Sequence, residues 1–182
     1  MILDERKYDL NGHELVLRSP NKDDAEELLK FIKTVTGETR FLMCEADEMN
    51  LTMEEELDFI NGFLDSDDNM FFISLLDGEH VGNCSFSKIK GSRRNAHRAS
   101  LGIALYQKFT GMGIGTIMLN VLLEEIEKHG YEQAELIVIG KNVHAQHMYE
   151  KAGFEVVGRH PNANKYDDGT YDDDVIMVKS FT

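Results

Sequence analysis

The stretch Tyr106 to Leu119, YQKFTGMGIGTIML, places glycines at alternate positions, Gly111, Gly113 and Gly115, and then runs into an apolar, helix-forming segment. Glycine reaches backbone angles closed to other residues and lets a ligand approach the main chain. A loop of this kind ahead of a helix points unpaired N–H groups outward, and the helix dipole adds partial positive charge. Residues Gly111, Met112, Gly113, Ile114, Gly115 and Thr116 therefore form a candidate anion site, best suited to a phosphate or pyrophosphate. Two known phosphate loops do not fit. The dinucleotide fingerprint needs a glycine at its sixth position, where Thr116 or Met118 stands, depending on the start chosen. The nucleoside triphosphate loop ends in Gly-Lys-Ser/Thr, against Gly115-Thr116-Ile117 here. A glycine-rich turn that only lets a helix pack on a strand is the alternative, but three alternating glycines exceed what packing needs.

A second constellation is Asn142 to Phe154, NVHAQHMYEKAGF. Asn142 is placed to cap a short helix in which Ala145, Met148, Tyr149 and Ala152 share a face before Gly153 ends it. On the residues alone, Tyr149 is either a core tyrosine or a phenol in a site. His144 and His147 lack the i, i+4 metal spacing, no HExxH is present, and both read as surface or rim residues. Cys44 and Cys84 form no CxxC or Cys/His cluster, so neither a disulfide framework nor a metal site is expected, and both read as buried thiols.

The elements that position these residues alternate. HELVLR, His13 to Arg18, has strand periodicity, and Asn21, Asp23 and Asp24 offer caps for an amphipathic helix carrying Ala25, Leu28, Leu29, Ile32 and Val35. Thr52 with Glu55 fits a capping box for a second helix bearing Leu57, Ile60 and Leu64. MFFISLL and HVGNCSF are strand-like runs joined by Asp77-Gly78-Glu79, a hairpin signal. Ala99 to Tyr106 is a strand leading into the glycine stretch, and Gly115 to His129 has helical periodicity with Gly130 as its stop. AELIVI reads as a buried strand, and EVVGR and DVIMVK as closing strands separated by HPNANKYDDGTYDD, whose turn falls at Asp168-Gly169. The expected class is α/β (α+β): a mixed, mostly antiparallel central sheet flanked by helices, in one domain over residues 1–182.

The glycine loop, the strand SLGIAL before it and the motif at Asn142 to Phe154 together resemble the GNAT superfamily of N-acetyltransferases. The family's loop is commonly Gln/Arg-x-x-Gly-x-Gly/Ala, met here at Gly113 and Gly115, with Thr110 where Gln or Arg is usual. Its later motif resembles Asn-x-x-Ala-x-x-x-Tyr-Glu-Lys-x-Gly-Phe, matched at every specified position from Asn142 to Phe154. The resemblance implies the acyl-CoA N-acyltransferase fold and acetyl-CoA as cosubstrate, with no metal. It implies that Gly111 to Thr116 bind the CoA pyrophosphate, that Ile103 and Leu105 pair through their backbones with the pantetheine arm, and that Asn142 contacts the cofactor. It also implies that Lys151 could reach a CoA phosphate and that Tyr149 is the general acid for the departing thiolate. A phenol, with a reference pKa near ~10, donates without being ionised at neutral pH. The base is not implied; His97, Ser100 and Glu135, on or beside the central strands, are candidates. Dimerisation is common in the family, and the sequence fixes no oligomeric state.

The chain has 182 residues, 42% of them hydrophobic, and 33 acidic against 19 basic residues give a net charge of -14. That balance argues against nucleic acid or an anionic membrane as partner and suits a cationic acceptor amine, such as a polyamine, a lysine side chain or a basic peptide N-terminus. It serves equally to keep a cytosolic protein soluble. The carboxylates of Tyr166 to Asp174, YDDGTYDDD, either line an acceptor cleft or form a solvated turn. No window approaches the ~18 uninterrupted apolar residues of a membrane span, and the charged opening MILDERKYDLNGHE is unlike a signal peptide. A cytoplasmic location is expected. The rival reading is a non-catalytic acyl-CoA-binding or regulatory module with the same fold; a further one is transfer of a longer acyl chain.

Overall fold

The computed structural model describes residues 1–42 and 44–181. In chain order its elements are β1 (Arg6–Leu10), β2 (His13–Arg18), α1 (Ala25–Glu38), α2 (Met53–Leu64), β3 (Asn69–Leu76), β4 (Glu79–Lys88), β5 (Arg98–Leu105), α3 (Ile114–Lys128), β6 (Gln133–Ile139), α4 (Val143–Lys151), β7 (Glu155–Lys165) and β8 (Tyr171–Ser180). The strands are mixed and mostly antiparallel: β5 and β6 run parallel, and the β1/β2, β2/β3, β3/β4, β6/β8 and β7/β8 pairs run antiparallel. By its contacts the chain divides into two compact units, residues 1–87 with 102–122, and residues 88–101 with 123–182.

In the first unit the strands follow the order β1-β2-β3-β4-β5. Two tight hairpins set the register. Asp77 and Gly78, both with positive φ (49° and 84°), turn β3 into β4, so the Asp-Gly signal has its expected meaning. Asn11 and Gly12, at 56° and 88°, do the same between β1 and β2. The Asp77 carboxylate also accepts from the Glu14 N–H at 2.9 Å. The two helix starts differ: the Asn21 box caps a 3-10 turn over Lys22–Asp24 that runs into α1, whose own N-cap, Asp24, makes no side-chain cap bond, whereas α2 is capped as its residues suggest. Asn21 accepts from the Asp23 N–H while Asp24 accepts from the Asn21 N–H, and Thr52 and Glu55 close a reciprocal capping box. Ala25 and Leu28 of α1 pack with Ile60 of α2 on Phe71 and Ile73 of β3, while Phe31 and Val35 close over Tyr106.

In the second unit the order is β5-β6-β8-β7. β6 and β8 pair along their length, from Gln133↔Ser180 to Ile139↔Asp174. Leu136, Val138, Val175 and Met177 are buried, but Ile137 and Ile176 are exposed, so AELIVI buries one face rather than both. The β7–β8 turn lies at Asp168-Gly169 as expected; Asp168 accepts from the Thr170 N–H at 2.9 Å, and Gly169 has φ 79°.

Other expectations change as well. β1 is a strand that its charged sequence concealed, because one face of an edge strand stays in water. β7 continues past Arg159 to Lys165 through Pro161, which an edge strand tolerates, with a register shift between His160 and Asn164 and a positive φ (54°) at Asn162. Cys84 is buried but Cys44 only partly so.

Candidate functional site

Strand β5 delivers the chain to the glycine loop. The described register with β6 covers Arg98, Ala99 and Ser100. The strand then continues through Ile103 and Leu105, both half-buried, with Ala104 between them, Gly102 exposed just before them and Ser100 half-buried. A 3-10 turn over Gln107–Phe109 follows. Its entry is pinned by the Glu38 carboxylate, which accepts from the Gln107 N–H at 2.8 Å. Its exit is closed by Thr110, whose hydroxyl donates to the Gln107 carbonyl at 2.7 Å. The side chain at the position where Gln or Arg is usual thus serves its own turn.

Gly111 and Gly113 adopt φ of 78° and 87°, and a Cβ at either would meet no atom within 4 Å. Both are exposed, as are Met112 and Thr116, whereas Ile114 is wholly buried and anchors the first turn of α3. The Ile117 N–H donates to the Gly113 carbonyl at 3.2 Å. The N–H groups of Ile114, Gly115 and Thr116 therefore precede the intrahelical ladder, with the positive end of the helix dipole behind them. An anion such as a pyrophosphate fits here: the cradle is main chain, it is open, and any side chain at the two positive-φ glycines would fill it.

Asn142 and Tyr149 belong to the second unit. The Asn142 side chain accepts from the Ala145 N–H at 3.2 Å and so caps α4. Tyr149 is buried, its ring edge-on to Phe154 at 5.7 Å between centroids. The Phe154 N–H bonds to the Tyr149 carbonyl at 3.0 Å, so the Tyr-Glu-Lys-x-Gly-Phe run folds back on the helix that carries the phenol. His144, His147 and Lys151 are exposed. Of the base candidates, Glu135 accepts from the Arg98 guanidinium at 3.0 Å, while the His97 carbonyl accepts from the Glu132 N–H at 2.8 Å. No cluster of metal-ligating side chains occurs among the described residues.

The first unit also holds a cleft of about 570 Å³ that sequence reading missed. Its walls include Arg18, Asp24, Glu27, Glu79, His80 and Tyr106. Arg18 grips Asp24 through two bonds of 2.8 Å, and Lys108 pairs with Glu79 at 2.5 Å. Burial pushes the Asp24 carboxyl up, but the bonds from Arg18 and the Asn21 N–H outweigh it and hold the group below its ordinary value. His80 is buried, and its Nδ1 has no hydrogen-bond partner. Burial lowers its pKa, against the bond at Gly82 and the Glu27 and Asp24 charges, which favour the cation. Burial raises that of Tyr106, and the Glu27 charge adds to it. The one sequence signal was a histidine inside an apolar strand run, HVGNCSF.

Comparison with known proteins identifies the family and the fold. The acetyltransferase (GNAT) family profile matches residues 37–154, which contain the glycine loop and the Asn142 to Phe154 motif. An acetyltransferase of the GNAT family from Streptococcus pneumoniae has a similar structure, with TM-score 0.86, 27% identity, and coverage of 92% of this chain and 99% of that one. A ribosomal-protein-alanine N-acetyltransferase from Brucella melitensis shares the fold at TM-score 0.81 and 19% identity, over 91% of this chain and 99% of that one. So does a Salmonella typhimurium protein solved with its cofactor acetyl-CoA, at TM-score 0.82 and 15% identity, over 92% and 94%. With the profile spanning well over half of its length, the chain belongs to the GNAT family of acetyltransferases.

Proposed function

We propose that the protein transfers the acetyl group of acetyl-CoA to a primary amine by direct attack in a ternary complex. One observation carries the reading: the open main-chain cradle at Gly111 and Gly113, leading directly into the N-terminus of α3. Acetyl-CoA supplies an activated thioester. The N–H groups of Ile114, Gly115 and Thr116 hold the pyrophosphate, and Gly111, Met112 and Gly113 shape the loop around it. The backbones of Ile103 and Leu105 hold the pantetheine arm as an added strand would be held. Asn142 contacts the cofactor as well as capping α4, and the Tyr149 hydroxyl gives its proton to the departing sulfur.

The whole chain, 1–182, works as one acetyltransferase domain. Its acceptor is a small amine, a polyamine or a peptide amine, and the charge of -14 favours a cationic one over nucleic acid. It acts in the cytoplasm, and a homodimer is consistent with the family's habit. Among the described residues no helix is long and apolar enough to cross a membrane.

Thiol release from acetyl-CoA, measured against a panel of amines, polyamines and basic peptides for wild type and Tyr149→Phe, tests the reading. Turnover on one amine class that drops in the variant while acetyl-CoA still binds supports it. Thr110, with its hydroxyl engaged in its own turn, favours a second reading, a non-catalytic acyl-CoA-binding module. Tight binding with no turnover on any acceptor would select that reading.

A further inference from the structure

Acetyl transfer to an ammonium group releases one net proton, and the groups considered from sequence leave its acceptor open. Glu135 already accepts from Arg98. His80, at the start of β4, differs from the other histidines. Its Nε2 lies 3.1 Å from the Gly82 carbonyl oxygen. A carbonyl only accepts, so Nε2 carries the proton and Nδ1 is the lone pair. That Nδ1 is buried and without a partner, in a side chain only 7% exposed that forms part of the cleft wall. The ring is held in place by Phe31, at 4.8 Å between centroids, and by Tyr106 at 6.3 Å.

The surroundings say what would complete it. An imidazole lone pair needs an N–H or O–H donor. From β2, Arg18 shares the cleft wall and its charge acts on the ring, but it is committed to Asp24, and Glu79 is committed to Lys108. From α1, Glu27 holds only an exposed i, i+3 pair with Lys30 at 3.2 Å, a contact easily exchanged for a ligand. Its charge acts on both His80 and Tyr106. A lone pair in a wall shared with the Glu27 carboxylate suits a donor that is also a cation and can take the place of Lys30. The cleft also reaches the strand that the proposed reaction uses: Tyr106 directly follows Leu105, and a Cβ at Gly82 would lie 2.6 Å from the Ala104 carbonyl oxygen.

We propose that this cleft seats the ammonium group of the acceptor, with Glu27 as its counter-charge, and that His80 Nδ1 accepts its proton. This rests on the acetyltransferase reading above. An N–H bond of the ammonium breaks as Nδ1–H forms, and the imidazolium is stabilised by Asp24 and Glu27 against the opposing charge of Arg18. The freed nitrogen lone pair attacks the acetyl carbonyl carbon. The C–N bond forms, the C–S bond breaks, and its electron pair stays on sulfur. The second N–H proton, lost as the amide forms, passes to solvent, and solvent returns one to the Tyr149 phenolate left when its proton went to the sulfur. His80 returns its proton to solvent.

The test uses the full chain with acetyl-CoA and spermidine, comparing wild type, His80→Asn and Glu27→Gln. In the wild type, kcat/KM falls with acid along a limb below the ordinary imidazole range. His80→Asn should lose about 10²-fold at neutral pH and lose that limb, with acetyl-CoA affinity unchanged. Glu27→Gln, at an exposed helix position that leaves the core intact, should raise the spermidine KM about 10-fold. A wild-type pH profile in His80→Asn, or an unchanged KM in Glu27→Gln, overturns the proposal. If the wild type acetylates no amine, the acetyltransferase reading fails, and His80's part as proton acceptor with it. Calorimetric binding of spermidine that weakens in Glu27→Gln would then still uphold the cationic seat, and equal binding would remove it.

Discussion

The glycine loop and the cleft beside it lie in the same unit and are built on opposite principles. In the proposed reading, the recognising groups from Gly111 to Thr116 are main-chain N–H donors, and what matters about the side chains is their absence. Around His80 every group of the proposed seat is a side chain, brought from β2, the turn at Asp24, α1, β4 and Tyr106 just past β5. A main-chain site is local and needs particular backbone angles, so it leaves a regular spacing of glycines. A side-chain site is assembled from segments far apart in sequence and leaves no spacing at all. The difference also sets their responses: the loop does not titrate, whereas the cleft holds carboxylates, an imidazole and a phenol.

The most severe test of this contrast is chemistry that a side chain should perform while the main chain only binds. Tyr149→Phe should lower kcat by about 10²-fold or more with acetyl-CoA affinity unchanged, measured by steady-state kinetics and calorimetry. Equal losses of kcat and affinity would instead make Tyr149 a packing residue against Phe154. Next in size is Gly113→Val. Its Cβ meets nothing in the free protein, but φ of 87° strains any side chain by about 1–3 kcal/mol, and the added bulk occupies the anion cradle. Acetyl-CoA affinity should fall about 10²-fold while the far-ultraviolet circular dichroism is retained. Normal affinity in this variant would remove the main-chain account of the loop.

Thr110→Arg sharpens the contrast by adding a side chain to a site made of backbone. A guanidinium near the pyrophosphate should tighten acetyl-CoA binding several-fold, about 1 kcal/mol, with the gain shrinking as salt rises. No change would mean that the Thr110 hydroxyl bond to Gln107 is worth as much as the added charge.

The smallest effect concerns titration away from both sites. Glu56 of α2 is buried, and burial alone raises its carboxyl pKa. A carboxyl raised in the folded state contributes stability below its unfolded value and loses it as pH rises through the folded one. Glu56→Gln should therefore raise Tm at pH 7.5 by roughly 2 °C and lose that advantage near pH 4, as thermal denaturation at the two values would read. A gain equal at both values would assign it to packing rather than charge.

How far each element could be read in advance follows the same division. The Asp77-Gly78 hairpin, the Thr52/Glu55 box and the Asn142 cap depend on residues within four positions of one another, and each forms as its chemistry requires. β1 escaped notice although Asn11-Gly12 carries the same turn chemistry, because its edge position removes the apolar alternation by which strands are recognised. β7 was cut short at Arg159 for a related reason: Pro161 and Asn162 read as loop, and only the pairing of Asn164 with Asp172 and of Lys165 with Tyr171 carries the strand onward.

What the sequence by itself determined is everything that rests on local geometry: the alternating elements, their caps and turns, the loop at Gly111 to Thr116, and through two motifs the family. Tertiary structure alone decided which side chains meet. His80 was one polar residue in an apolar run until folding laid it against Phe31 and Tyr106, 49 (80 − 31) and 26 (106 − 80) residues away in the chain. Folding also left its second nitrogen unpaired within a wall shared with Glu27. Backbone angles are set by a residue and its immediate neighbours, whereas hydrogen-bond satisfaction is settled by whatever the whole chain brings within 3 Å or so.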